Sequence, residues 1–132
     1  MDQKGNLQSR LRKICAEIDE LKNEEKKELS KIEEKTRRVN SFRRELANML
    51  EQKYQVSVQG LKNNEDQVVD YEKMSQLFQL YYEANDEKFY RTLNLLDRES
   101  EKIQLEYKTK FRKKSEEMED LQIEIHRLED EG

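Results

Sequence analysis

LQSRLRKICAEIDEL, residues 7–21, decides the fold. Its apolar residues Leu7, Leu11, Ile14, Ile18 and Leu21 recur alternately four and three apart, the 3.5-residue repeat that keeps one narrow helix stripe facing a partner helix. The repeat resumes at Ile32, Val39, Phe42, Leu46 and Met49, so that 10 of 13 seam positions are apolar and Glu25, Glu28 and Lys35 are the exceptions. The first fifty residues therefore require another helix beside them.

Composition agrees. Charged residues make up 42% of the chain and hydrophobic ones 33%, too little apolar surface for a globular core but enough for a seam. There is no proline to break a helix, and of Gly5, Gly60 and Gly132 only Gly60 is internal punctuation. Net charge is +3 over residues 1–50, −4 over 51–88 and −3 over 89–132, which argues against nucleic acid as the main partner because phosphate binding needs a concentrated basic face. A single cysteine, Cys15, makes no intramolecular disulfide, and no secretory signal or membrane-length apolar run is present. A cytoplasmic protein is the expectation, compatible with export by a dedicated machine that reads a folded helix.

The pattern predicts one all-α domain over residues 1–132, an elongated antiparallel helical hairpin or coiled coil. Asn6 is a good cap for a first helix running to about Tyr54. Alternating Tyr54, Val56 and Val58, then Gly60, Asn63 and Asn64, predict a turn at 55–64, with Glu65, Asp66 and Gln67 opening a helix over 65–130. Phe89, Leu93, Leu96, Ile103, Tyr107, Phe111, Met118, Leu121, Ile125 and Leu128 form its seam, and the four-and-four steps Ile103, Tyr107, Phe111 relax the supercoil there.

Two arrangements satisfy this pattern. In one, a single turn near Gly60 folds the helices back on each other. In the other, Asn85 and Asp86 cap a third segment, residues 51–88 form a bent aromatic tip, and arm 7–50 pairs with arm 89–128. That register puts Arg37 and Arg38 near Glu99 and Glu101, and Glu24 and Glu25 near Arg112 to Lys114, but also sets Glu17, Asp19 and Glu20 against Glu116 to Asp120. Exposed charge pairs are too weak to choose between them.

Seven of the ten aromatic residues fall between positions 54 and 90: Tyr54, Tyr71, Phe78, Tyr81, Tyr82, Phe89 and Tyr90. With Val68, Val69, Met74, Leu77 and Leu80 they make this segment apolar over more than one helix face. Such surface either packs on itself, in a thickened tip or homodimer, or awaits another chain. The candidate partner-binding residues are Met74, Leu77, Phe78, Tyr81, Tyr82, Phe89 and Tyr90.

Enzymatic chemistry finds no support in the sequence. His126 is the only histidine, so neither a His/Cys metal cluster nor a histidine dyad is available, and no cofactor or metal is expected. Carboxylates are plentiful, but a catalytic pair needs a water-poor cleft that a rod does not offer. No glycine-rich phosphate loop surrounds Gly60. Glu116, Glu117, Glu119 and Asp120 read as a solvated face, and Cys15 as a small residue flanking the seam. The basic clusters Arg37/Arg38/Arg43/Arg44 and Lys108/Lys110/Arg112/Lys113/Lys114 read as solubilising flanks.

A charged N-terminal arm, SFRRELANMLE at 41–51 and NDEKFYRTLNLLDRESEKIQ at 85–104 leading into a Glu/Lys-rich helix together resemble the small helical proteins encoded beside LXG-type toxins in Gram-positive type VII secretion loci. The resemblance implies a non-enzymatic chaperone-like targeting factor that binds the helical N-terminal LXG region of a toxin. With a second small helical protein it would present that toxin to the secretion ATPase. The chain departs from the Trp-x-Gly partners of that system, having no tryptophan. Similar physics would also produce the coiled-coil stalk of a type III or flagellar export ATPase, or a structural homodimeric coiled coil.

Overall fold

Without proline, and rich in the strong helix formers Leu, Glu, Lys, Arg and Gln, the chain has little to interrupt an α-helix once begun. The computed structural model describes residues 2–62 and 68–131. It is all-α, with α1 (Gln3–Lys62, 60 residues) and α2 (Val68–Glu131, 64 residues) packed as a hairpin.

Both ends of α1 lie beyond the positions expected from sequence. The cap is Asp2, not Asn6: the Gly5 amide donates to Asp2 Oδ1 at 3.2 Å and the Asn6 amide to the Asp2 carbonyl at 3.0 Å. An aspartate accepts from free N-terminal amides as well as asparagine does, and it is reached first. At the other end residues 55–62, expected to turn, remain helical. Gly60 costs a helix about 1 kcal/mol against alanine, too little to end one whose neighbours Tyr54, Ser57 and Val58 are half-buried. Asn63, Asn64 and the expected helix start at Glu65 to Gln67 lie outside the described residues. The break at Asn85 and Asp86 on which the three-segment alternative depends does not occur, and α2 runs through both. Asn85 is half-buried in the seam and Asp86 spends its carboxylate on Arg43.

Packing contacts divide into two compact units, Met1–Ile32 with Glu99–Gly132 and Glu33–Arg98. In the first, Lys4 pairs with Glu129 at 3.1 Å and Cys15 Sγ contacts Met118 Sδ at 3.9 Å. An advance of 11 residues along α1 is thus matched by a retreat of 11 along α2, the antiparallel arrangement. Glu17 bonds Lys114, which also faces Glu117 at 3.8 Å, so the register of the three-segment alternative, with Glu24 and Glu25 opposite Arg112 to Lys114, does not form.

The buried core of this unit is Ile14, Ile32, Tyr107 and Leu121. Burying each aliphatic side chain contributes about 1.5–3 kcal/mol. Leu7, Leu11, Ile14, Ile18 and Leu21 face α2 as the heptads predict. The shielded row then continues through Glu25 and Leu29 to Ile32, so Leu29 replaces the expected Glu28. These four-and-four steps meet those of Ile103, Tyr107 and Phe111 on the opposite helix. Tyr107 is 3% exposed, its hydroxyl proton held against ionisation first by burial and then by Glu28, Glu24 and Glu25.

In the second unit the α1 seam departs from the strict repeat. Val39, Arg43, Leu46, Leu50 and Tyr54 are shielded, whereas the predicted Phe42 and Met49 are 58% and 48% exposed and Thr36 is covered where Lys35 had been expected. A straight helix with 3.6 residues per turn drifts about 20° per heptad from a 3.5 repeat, which carries Phe42 and Met49 off the contact line. No such correction is needed on α2. Its predicted seam from Phe89 to Leu128 is half-buried or buried throughout.

Candidate partner-docking face

The second unit, Glu33–Arg98, contains the aromatic segment, and among its described residues none is fully buried. Two helices cover one stripe of each other, and this unit carries more apolar surface than one stripe. The seam of α2 here is the row Met74, Phe78, Tyr82, Asn85, Phe89, all half-buried. Phe78 meets Tyr54 edge-on with ring centroids 5.3 Å apart, and Phe89 meets Phe42 at 5.9 Å.

Contacts on one flank orient the hairpin. Arg43 donates from Nε to Asp86 Oδ1 at 3.2 Å, its Nη2 stands 3.1 Å from the same oxygen in an ion pair, and its guanidinium lies 5.2 Å from the Tyr90 ring centroid. Nearby, Tyr82 donates to Glu51 Oε2 at 3.4 Å. Burial, then the Glu51 carboxylate, raises the Tyr82 pKa above its ordinary value. Tyr54 and Tyr71 share a hydroxyl contact at 3.3 Å, and that bond raises the Tyr71 pKa. This flank is polar and its groups are engaged with one another.

The opposite flank is different. Phe42, Met49 and Val56 follow one another at seven-residue spacing, on the side of α1 turned away from Arg43 and Glu51. On α2, Leu77, Tyr81 and Ala84 occupy the side of the seam turned away from Asp86 and Tyr90. The two rows therefore lie on the same side of the unit, with Val56, Leu77 and Tyr81 70%, 51% and 53% exposed. Leu80 and Leu95 extend it, both exposed. Apolar residues scattered singly are ordinary on a surface, but a contiguous patch built from two helices marks a contact site.

The seven sequence candidates thus divide three ways. Leu77 and Tyr81 stand on the open apolar face. Met74, Phe78, Tyr82 and Phe89 belong to the seam between the helices, and Tyr90 lies on the polar flank against Arg43. Sequence reasoning missed Phe42, Met49 and Val56 as face residues, having assigned the first two to the seam. Their seven-residue spacing was visible, and only the direction of drift was not.

Other candidate groups have ordinary surroundings. His126 is exposed, 3.7 Å from Glu129, and Cys15 is exposed beside Met118. Arg38 pairs with Glu34 and Arg91 with Glu87 along their own helices. Leu105 and Ile123 are single exposed residues on the back of α2 in the first unit. Among the described residues no His/Cys/Asp/Glu group has the geometry to hold a metal, and no helix is long and apolar enough to cross a membrane. Comparison with family models, with curated proteins and with solved structures finds no match for this chain, so its functional reading rests on the face built by Phe42, Met49, Val56, Leu77 and Tyr81.

Proposed function

We propose that this chain is a non-enzymatic adaptor that docks a helix of another protein on the apolar side of the Glu33–Arg98 unit. The observation that carries the reading is the uncovered apolar face shared by α1 and α2, beside a seam in which no described residue of that unit is fully buried. A third helix laid along Val56, Leu77 and Tyr81 completes such a core, because a helix presents side chains at matching three- and four-residue intervals. Aromatic, Leu and Met side chains supply large contact area and suit the centre of a protein interface.

The resemblance to proteins encoded beside LXG-type toxins supplies the partner: the helical N-terminal region of a secreted toxin, bound in the cytoplasm and targeted, with a second small helical protein, to a type VII secretion system. Size exclusion with light scattering tests this on the full chain, alone and mixed with the helical N-terminal region of the toxin encoded beside it. A co-eluting complex of defined mass that is lost with Tyr81→Asp is the expected result. A tight homodimer that ignores the toxin region assigns the face to self-association, and an unchanged monomer in the mixture favours an export-ATPase stalk.

A further inference from the structure

The apolar face of the Glu33–Arg98 unit has a charge signature, and it specifies the kind of helix that fits. On α1, Lys35 precedes Phe42 by seven residues and Lys53 sits between Met49 and Val56, four after one and three before the other. On α2, Lys88 follows Ala84 by four residues and Arg91 precedes Leu95 by four. All four cations are exposed, and helical spacing puts them in or beside the apolar rows. Glu34 and Glu45 stand at the outer edge of this side, Glu34 paired with Arg38 at 2.7 Å, and Arg91 is paired with Glu87 on its own helix at 2.5 Å. The opposite side of the same unit carries Glu33, Glu51, Glu72, Glu83 and Asp86 with Arg43 and Arg44. Charge is therefore sorted across the unit, although its two signs are nearly balanced along the sequence.

We infer that the face recognises an acidic amphipathic helix: a partner segment with an apolar stripe flanked by Asp and Glu, which meet Lys35, Lys53 and Lys88. This rests on the docking reading above and adds to it the chemistry of the partner's flanks. A second copy of this chain does not fit in the same role, because an isologous pairing of two such faces brings basic rims together. A helix with basic flanks is rejected for the same reason. Flanking charges of this kind set partner choice and association rate while the apolar stripe holds the complex.

The test uses the full-length protein and two synthetic helical peptides with one shared Leu/Ile stripe, flanked by Glu in one and by Lys in the other, with binding read by fluorescence anisotropy. The Glu-flanked peptide is expected to bind about tenfold more tightly at low salt, the sum of several exposed pairs. That preference should narrow as salt rises. Tyr81→Asp should abolish binding, and the double variant Lys53→Glu with Lys88→Glu should favour the Lys-flanked peptide, with helix content checked by circular dichroism.

Equal binding of both peptides, lost in both cases with Tyr81→Asp, overturns the charge inference and leaves the docking reading intact. Capture of the protein by phosphatidylserine vesicles with no preference between peptides overturns it in favour of an anionic membrane surface. A toxin-region complex that survives Tyr81→Asp overturns the docking reading itself.

Discussion

Arg43 holds Asp86 across the helix pair, with Nε donating to Oδ1 at 3.2 Å and Nη2 in ion-pair contact with the same oxygen at 3.1 Å, so a cation stands in the contact row between Val39 and Leu46, where heptad spacing expects Phe42. The same guanidinium lies over Tyr90, which gives it a second partner. The pair fixes which flank of the unit is polar and leaves Phe42 on the other.

A double-mutant cycle on Arg43→Ala and Asp86→Ala is expected to show favourable coupling in thermal unfolding. The coupling should fall when salt is raised, since the pair is partly exposed. Additive effects of the two substitutions would mean that the contact does not order the helices. Tyr90→Leu should weaken Arg43 without changing the sign of the coupling.

The Glu17–Lys114 bond predicts a pH dependence in the first unit. Hydrogen bonding to Lys114 lowers the Glu17 pKa below its ordinary value of 4.5. A depressed carboxyl contributes stability that is present above the unfolded value and lost as pH falls through the folded one. The Lys114 pKa is raised above 10.5, chiefly by hydrogen bonding to Glu17, so its contribution is present below 10.5 and lost as pH rises beyond it. Thermal unfolding followed by circular dichroism should show stability falling below pH 4.5, less steeply in Glu17→Gln than in the parent. An identical acid slope in the two proteins would assign it to other carboxylates.

Gly60 offers a stabilising substitution. It lies inside α1 without a positive φ, and an added Cβ meets nothing within 4 Å. Gly60→Ala should therefore raise stability by about 0.5–1 kcal/mol, through helix propensity and reduced freedom of the unfolded chain. A loss of stability on urea unfolding would show that the backbone there needs glycine. Gly5 is the contrasting case, because its Cβ would stand 2.8 Å from Asp2 Oδ2 and disturb the cap.

The sequence revealed the helices and their antiparallel pairing because a hairpin of this kind is written in one-dimensional spacing. Leu7 to Leu21 and Phe89 to Leu128 announce their stripes directly, and both face their partner helix. Phe42 and Met49 misled because an apolar residue at heptad spacing looks the same whether the helix winds at 3.5 or 3.6 residues per turn. The accumulated rotation is a property of the packed pair. Gly60 misled for a related reason: punctuation residues weaken a helix by about 1 kcal/mol, and the packing of Tyr54 and Val58 outweighs that. Composition alone located the aromatic segment. It could not separate Phe78 from Tyr81, three residues apart and about 60° removed from each other around the helix.

That separation yields the sharpest test of the docking face. Phe78 is half-buried and packs edge-on against Tyr54, whereas Tyr81 is 53% exposed beside Leu77. Placing a carboxylate at Phe78 removes the ring contact and puts a charge between two helices, so Phe78→Asp is expected to cost about 3 kcal/mol or more and to lower the melting temperature visibly. Tyr81→Asp changes only an exposed position of an intact helix, and its stability should stay within about 0.5 kcal/mol of the parent. Measured together, the two variants should part company: Phe78→Asp loses fold and binding in step, and Tyr81→Asp loses the partner helix while keeping its melting curve. If Tyr81→Asp unfolds the protein as readily as Phe78→Asp does, the tyrosine belongs to the core and the face is smaller than drawn. If instead it binds the partner as the parent does, the contact site lies elsewhere on the hairpin.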